Sequence, residues 1–292
     1  MRIVARGVAI EVDDQGPPGG EPLLMIMGLG MPLVAWPQEL VQGLVTRGFR
    51  VLRLDNRDAG LSQRFDERGV PNLATAALRH WLHLPVRAPY RLADMAADAL
   101  GVLDVLGIAR AHVCGASMGG MIAQHLVAAH PERVRSLTLV MTTSGARRLP
   151  QPTWAVQRAL LARPASPALD DVVAHLQRML AIIGSPAYPA DPDWQRSRLR
   201  AMVARGWHPA GTARQLVAVA ADGDRTPLLA RITAPTCVIH GQADPLVPVA
   251  AGHDLAARIA GATADFVPGM GHDLPLQLLP RIEADIAANA LR

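Results

Sequence analysis

One segment of the chain has the residue types and spacing of a nucleophile: Gly115-Ala116-Ser117-Met118-Gly119-Gly120. It follows an apolar run ending at Cys114 and opens a helical pattern at Met118. Ser117 therefore stands on a sharp strand-to-helix turn, which strains its backbone and lifts its hydroxyl out of a sheet. Gly115 and Gly119 are small because strand and helix approach too closely there for side chains. The helix start behind Ser117 offers backbone N–H groups and a positive dipole end, which suit a developing oxyanion. A Gly-rich turn with a helix-capping serine would use the same residue types, so the partners decide. A hydroxyl needs a base and an orienting acid to act as a nucleophile. The run Thr236–His240 leads into Gly241-Gln242-Ala243-Asp244-Pro245, which carries Asp244. The run Ala264–Val267 leads into Pro268-Gly269-Met270-Gly271-His272-Asp273, which carries His272. Ser117, Asp244 and His272 each follow the carboxyl end of a strand-like run, so the three positions support one another. Asp273 competes poorly as the acid, since a sequence neighbour points badly back at the imidazole.

The elements that must position these residues follow from hydrophobic periodicity. Strand-like runs lie at Val8–Val12, Leu23–Met27, Arg50–Leu54, Ala111–Cys114, Val134–Val140, Thr236–His240 and Ala264–Val267. Several are apolar at nearly every residue, as in strands buried on both faces of a parallel sheet. Helical patterns fall between them at Gln38–Arg47, Leu92–Leu106, Met118–Ala129, Val249–Ile259 and Leu276–Ala288. This alternation predicts an α/β fold with helices on both faces of the sheet. The rhythm breaks from Gly145 to Arg225, where Pro-punctuated helical segments replace the strands: Trp154–Ala162, Asp170–Ile183, Trp194–Arg205 and Thr212–Ala221. A smaller excursion, Gln63–Arg91, holds a short helix near Leu73–Leu82. The expected organisation is a core over 1–144 (with the small excursion 63–91), a helical cap over 145–225, and a second part of the core over 226–292.

These residues resemble the α/β-hydrolase superfamily, and the likeness covers essentially the whole chain. Met27-Gly28-Leu29-Gly30, Asp55-Asn56-Arg57-Asp58-Ala59-Gly60-Leu61-Ser62, Gly115–Gly120, His240–Pro248 and Gly269-Met270-Gly271-His272 all have counterparts there. Within it the chain looks most like bacterial carboxylesterases and aclacinomycin-methylesterase-like hydrolases. The resemblance implies a predominantly parallel, eight-stranded sheet with the cap between strands six and seven. It also implies Ser117 as nucleophile, His272 as general base and Asp244 as its orienting acid. The expected oxyanion donors are the backbone N–H groups of Met118 and, by motif position, Leu29. The family usually has His-Gly where this chain has Met27-Gly28, so the supports of that loop must differ here. The expected chemistry is cleavage of a small-molecule carboxylic ester. A lactonase, a C–C bond hydrolase or a cofactor-free perhydrolase would use the same triad. A ligand-binding module without turnover would not need all three residues.

The remaining features narrow the reading. Half of the 292 residues are apolar and 18% are charged, which is globular. All 29 basic residues are Arg, and the net charge of +4 is weak support for a nucleic-acid partner, so none is expected. Gly28-Leu29-Gly30 lacks the third glycine of a dinucleotide fingerprint. His80 and His83 have no Cys or carboxylate pair at ligand spacing, so neither metal nor cofactor is expected. Cys114 and Cys237 read as buried thiols, and Arg57 and Asp58 as local braces of their turn. No signal peptide or membrane span is legible at the N-terminus or elsewhere, so a cytoplasmic monomer or homodimer is expected. The segment 145–225 holds eleven Arg, six Asp and no Glu, which concentrates the positive charge in the cap. With its tryptophans, that cap could receive an apolar or partly anionic ester. Gly28, Met31, Trp154, Trp207 and Met270 are the expected substrate-binding residues, the methionines (with Met27 and Met118) as an adaptable pocket.

Overall fold

Runs that are apolar at every residue can be satisfied only inside a sheet covered on both faces, and they lie there. The computed structural model describes residues 1–292. Its eight strands are β1 (Arg2–Ala5), β2 (Val8–Gln15), β3 (Glu21–Ile26), β4 (Phe49–Leu54), β5 (Ala111–Ala116), β6 (Val134–Val140), β7 (Thr236–Gly241) and β8 (Thr263–Val267). They form one sheet in the order β1-β2-β4-β3-β5-β6-β7-β8. Every residue of β5 and β7 is buried. β2 pairs antiparallel with β1 and β4, and every other pairing is parallel.

β1 has no counterpart among the seven runs read from sequence. It has four residues, and Val4 is 64% exposed, so burial leaves little trace in it. Arg6 and Gly7, both at positive φ, turn it tightly onto β2.

The helices are α1 (Gln38–Thr46), α2 (Leu73–Trp81), α3 (Leu92–Val105), α4 (Met118–Ala129), α5 (Trp154–Leu161), α6 (Leu169–Ile183), α7 (Pro192–Gly206), α8 (Pro209–Asp222), α9 (Thr226–Leu229), α10 (Ala250–Arg258) and α11 (Leu279–Ala290). The last begins three residues later than its periodicity predicts. A 3₁₀ turn takes Leu276–Leu278, and Pro280 sits in the first helical turn, where its missing N–H has no cost. One face of the sheet packs through Leu24, Ile26 and Val113 against α3, α4 and α10. The other packs through Leu23, Met25 and Cys114 against α1 and α11. Each fully buried Leu or Ile in these layers contributes about 1.5–3 kcal/mol.

Between β6 and β7 the chain leaves the sheet for the helical cap, α5 to α8. Val172, Val173 and Leu176 of α6 meet Leu199 and Met202 of α7 in a small core of the cap's own. The topology also identifies where a site can form. The chain builds β3 and β4 in one direction, then crosses back over β3 to lay down β5. The carboxyl ends of β3 and β5 therefore flank a topological switch point, where crevices open in α/β sheets.

Candidate active site

The elbow has the strain its sequence predicts. Ser117 sits at φ 53° and ψ −121°, a region that side chains rarely adopt. Its N–H donates to the Val140 carbonyl at 2.9 Å, and the Thr142 hydroxyl donates to the Ser117 carbonyl at 2.7 Å. A methyl group on Gly119 would fall 1.9 Å from the Ile26 carbonyl oxygen, and one on Gly115 would fall 2.4 Å from that of Gly119. Strand, turn and helix are locked together at a spacing only glycine permits.

The two loops expected to supply acid and base converge on that serine. His272 Nε2 lies 3.1 Å from Ser117 Oγ, and His272 Nδ1 lies 2.7 Å from Asp244 Oδ2. The other oxygen of Asp244 accepts from the backbone N–H groups of Leu246 at 2.9 Å and Val247 at 2.8 Å. A carboxylate on Nδ1 keeps that nitrogen protonated, which leaves Nε2 as the acceptor for the serine proton. His240 is fully buried and donates from Nε2 to the Val247 carbonyl at 2.8 Å, bracing the Asp244 loop; burial lowers its pKa. Asp273 turns away from His272 and accepts from the Ser185 hydroxyl at 2.5 Å. Burial raises the Asp273 pKa.

The cap holds the base loop directly. The Ile183 carbonyl accepts from the His272 N–H at 2.7 Å, and Ser185 Oγ accepts from the Gly271 N–H at 2.8 Å. A methyl group on Gly271 would lie 2.3 Å from the Gly184 oxygen.

The loop after β3 passes on the other side of Ser117. A methyl group on Gly28 would lie 3.2 Å from Ser117 Cβ. The Leu29 N–H has no protein acceptor. Met118 is the first residue of α4, where the helix offers its N–H no partner. Both expected oxyanion donors are thus free of intramolecular bonds.

The expected substrate-binding residues divide. Gly28 borders the serine, and Met31 is half-buried between the core and the cap cluster that includes Trp207. Met270 does not face an accessible cleft: it is fully buried in the α1/α11 layer, and Met27 and Met118 are buried as well. Trp154 is 80% exposed at the start of α5, because that helix buries only Val156. An adaptable pocket of four methionines is therefore reduced to Met31.

The cap's charge is also arranged differently from its sum. Arg214 is fully buried and grips Asp58 with two nitrogens, at 2.8 and 2.7 Å, and Asp66 at 2.9 Å. Burial pushes the Asp58 carboxyl up, but hydrogen bonds from Arg214, the Phe65 N–H and Tyr90 outweigh it, and its pKa falls. Arg205 reaches Asp55 at 3.1 Å, and Arg225 pairs with Asp222 at 2.6 Å. Arg198 lies over the Trp194 ring. Arg57 is not a local brace of its turn, since it forks onto Asp98 of α3, whereas Asp58 accepts from the nearby Phe65 N–H at 2.8 Å as well as binding the cap. Arg147, Arg158, Arg163 and Arg178 stay exposed without ion partners. Cys114 and Cys237 are buried free thiols, and burial pushes Cys237 up to about 11.

Sequence reading missed Asn56, Ser185, Arg214 and Gln215. The last two share the buried face of α8 with Gly211 and Ala218 at helical spacing. A charged and an amide residue on an inward face is the one local signal that could have found them.

Residues 21–277 match the family model described as the alpha/beta hydrolase fold. The chain belongs to the α/β-hydrolase family. It is 31% identical over 300 residues to a rhodomycin D methylesterase, DauP, of Streptomyces sp. (strain C5), covering 94% of this chain and 92% of that one. It is 30% identical over 271 residues to a 2-hydroxy-6-oxononadienedioate/2-hydroxy-6-oxononatrienedioate hydrolase of Paraburkholderia xenovorans (strain LB400), covering 91% and 84%. The enol-lactonase structure from Burkholderia xenovorans LB400 superposes with a TM-score of 0.77 at 25% identity, covering all of both chains. These relatives support a hydrolase acting on a small molecule. No helix is long and apolar enough to cross a membrane.

Proposed function

We propose that the chain is a serine hydrolase that cleaves carboxylic esters of small to medium size through Ser117, His272, Asp244 and an acyl-enzyme. The observation that carries this reading is the unbroken hydrogen-bond line from Asp244 through His272 to Ser117, at 2.7 and 3.1 Å, ending on a serine at positive φ. His272 takes the Ser117 proton as Oγ attacks the ester carbonyl. The N–H groups of Leu29 and Met118 stabilise the tetrahedral oxyanion, each worth about 3 kcal/mol in comparable sites. His272 then protonates the departing alcohol, and in the second half it activates the water that releases the acid. Asp244 holds the imidazole tautomer throughout and stabilises its charged form. Gly28, Met31 and Trp207 line the substrate's approach, beneath a cap domain over residues 145–225. The same reading takes the protein as cytoplasmic, acting as a monomer or homodimer.

The likeness to an enol-lactonase over the whole chain favours a second reading on the same residues. A lactone is a cyclic ester, so the steps are shared and the alcohol simply stays attached to the acyl group.

The test is a fluorophosphonate probe followed by a panel of nitrophenyl esters and lactones. The native chain should label at Ser117 and turn over an ester, while Ser117→Ala does neither. Equal labelling of both proteins, or of neither, would sink the assignment and favour a binding module.

A further inference from the structure

The oxyanion loop of this chain supports itself by a single long bond, from the Met31 N–H to the Gly28 carbonyl at 3.3 Å. Met27, Gly28, Leu29 and Gly30 carry no polar side chain, and two of the four are glycines. With that bond alone, the two glycines beside the nucleophile would leave the Leu29 N–H loosely held, since glycine gives up the most conformational freedom on ordering. The other supports come from elsewhere. Asn56 Nδ2 donates to the Met27 carbonyl at 2.8 Å. Asp55 Oδ1 accepts from the Leu33 N–H at 2.5 Å. Neither touches the peptide next to the Leu29 donor.

That peptide is held by the cap. The Gly30 N–H donates to Gln215 Oε1 at 2.7 Å, across 185 positions of sequence. The Gln215 amide nitrogen donates to the Arg57 carbonyl at 2.7 Å, so both ends of the side chain are occupied. Gln215 is fully buried. One turn earlier on α8, Thr212 packs against Gly30, where an added methyl group would fall 2.6 Å from the threonine hydroxyl. Gly30 itself is at φ 67°, the conformation that directs its N–H toward the cap.

We infer that Gln215 is a positioning residue for the oxyanion hole: from cap helix α8 it pins the Leu29–Gly30 peptide to the strand β4 loop and so aims the Leu29 N–H at the developing oxyanion. This rests on the reading of Ser117 as nucleophile given above. Gln215 touches no substrate, and its effect is confined to steps in which negative charge grows on the carbonyl oxygen. Two hydrogen bonds to backbone groups define the amide's orientation, so the geometry does not depend on a mobile side chain.

The experiment compares the rate of fluorophosphonate labelling of Ser117 in the native chain, Gln215→Met, Gln215→Glu and Ser117→Ala. Phosphonylation develops the same kind of oxyanion, so it reads the hole without knowledge of the natural substrate. Gln215→Met keeps the length and apolar bulk but removes both hydrogen bonds. It should label about 10²-fold more slowly, the order expected when a reacting group is misplaced by about 1 Å. On any ester that is turned over, kcat should fall by a similar factor with KM nearly unchanged. Gln215→Glu keeps an oxygen facing the Gly30 N–H but sets its other oxygen against the Arg57 carbonyl, so it should recover only part of the rate. Labelling of Gln215→Met at the native rate would overturn the inference. So would equal losses in both variants that follow their melting temperatures, since that pattern marks a packing residue only. If the native chain fails to label, or Ser117→Ala labels equally, the nucleophile reading fails, and the inference goes with it.

Discussion

The proposed triad and the cap treat charged and polar groups in opposite ways. At the proposed triad, Asp244 and His272 form one line that ends on the Ser117 hydroxyl. In the cap, Arg205 and Arg214 turn inward onto Asp55 and Asp58 of the loop after β4. A segment whose composition advertises a positive field therefore uses much of that charge to fasten itself to the core. The difference teaches that a charge count over a segment describes a surface only after its partners are subtracted. Where the cap meets the core, Trp207 of the cap and Met31 of the loop after β3 pack against one apolar cluster.

Several substitutions would break or sharpen this contrast. The largest effect belongs to the proposed triad: Ser117→Ala should lower kcat by roughly six orders of magnitude, measured on the best ester of the panel. Next comes the inward charge. Arg214→Met leaves Asp58 buried without its partner and should destabilise the fold by about 3–5 kcal/mol in urea unfolding. Adding Asp58→Asn, which tolerates the positive φ of that position, should return part of the loss. If the single variant costs nothing, the clamp is not holding the cap.

Ser185→Ala removes the acceptor for the Gly271 N–H and the donor to Asp273. It should cost about 1–3 kcal/mol of stability and lower kcat, because the base loop loses its anchor. A smaller effect tests a core carboxylate that the cap does not reach. Asp285 has a pKa raised to about 6 by burial and by Asp265 beside it. The folded carboxyl binds its proton more tightly than the unfolded one, so stability falls as pH rises from about 4 to 6 and stays reduced above. Asp285→Asn should therefore stabilise by up to about 1 kcal/mol at pH 7, allowing for solvent screening. That gain should vanish near pH 4, as melting curves at the two pH values would reveal. The smallest effect is expected from replacing Arg147, Arg158, Arg163 and Arg178 together with Gln. Turnover of neutral and anionic esters should each stay within about twofold, whereas selective loss of the anionic one would restore the charged-cap reading.

What was legible in the chain follows the same division. The elbow, the Asp244 loop and the His272 loop could be read because each is a short string of residues tied to the end of a strand. The strands themselves were legible because double-sided burial demands unbroken apolar runs such as those of β5 and β7. β1 escaped because an edge strand facing water has no such demand. The cap's anchors escaped for another reason. Gln215 with Gly30, Arg214 with Asp58, and Ser185 with Gly271 are each joined across at least 86 positions. No local pattern encodes a pairing at that range. Met270 is two residues from His272 in sequence but not in the cleft, because its side chain packs into the layer of α1 and α11.

The stitching of residues 183–185 to the base loop, and of Gln215 to the oxyanion loop, has a practical meaning for anyone wishing to change what this protein accepts. On the proposed reading, exchanging the whole segment between β6 and β7 for that of a relative would change what surrounds the substrate and discard the supports of the two loops in the same cut. A chimera that retains Ile183, Ser185 and Gln215 while varying α5 and α7 separates the two.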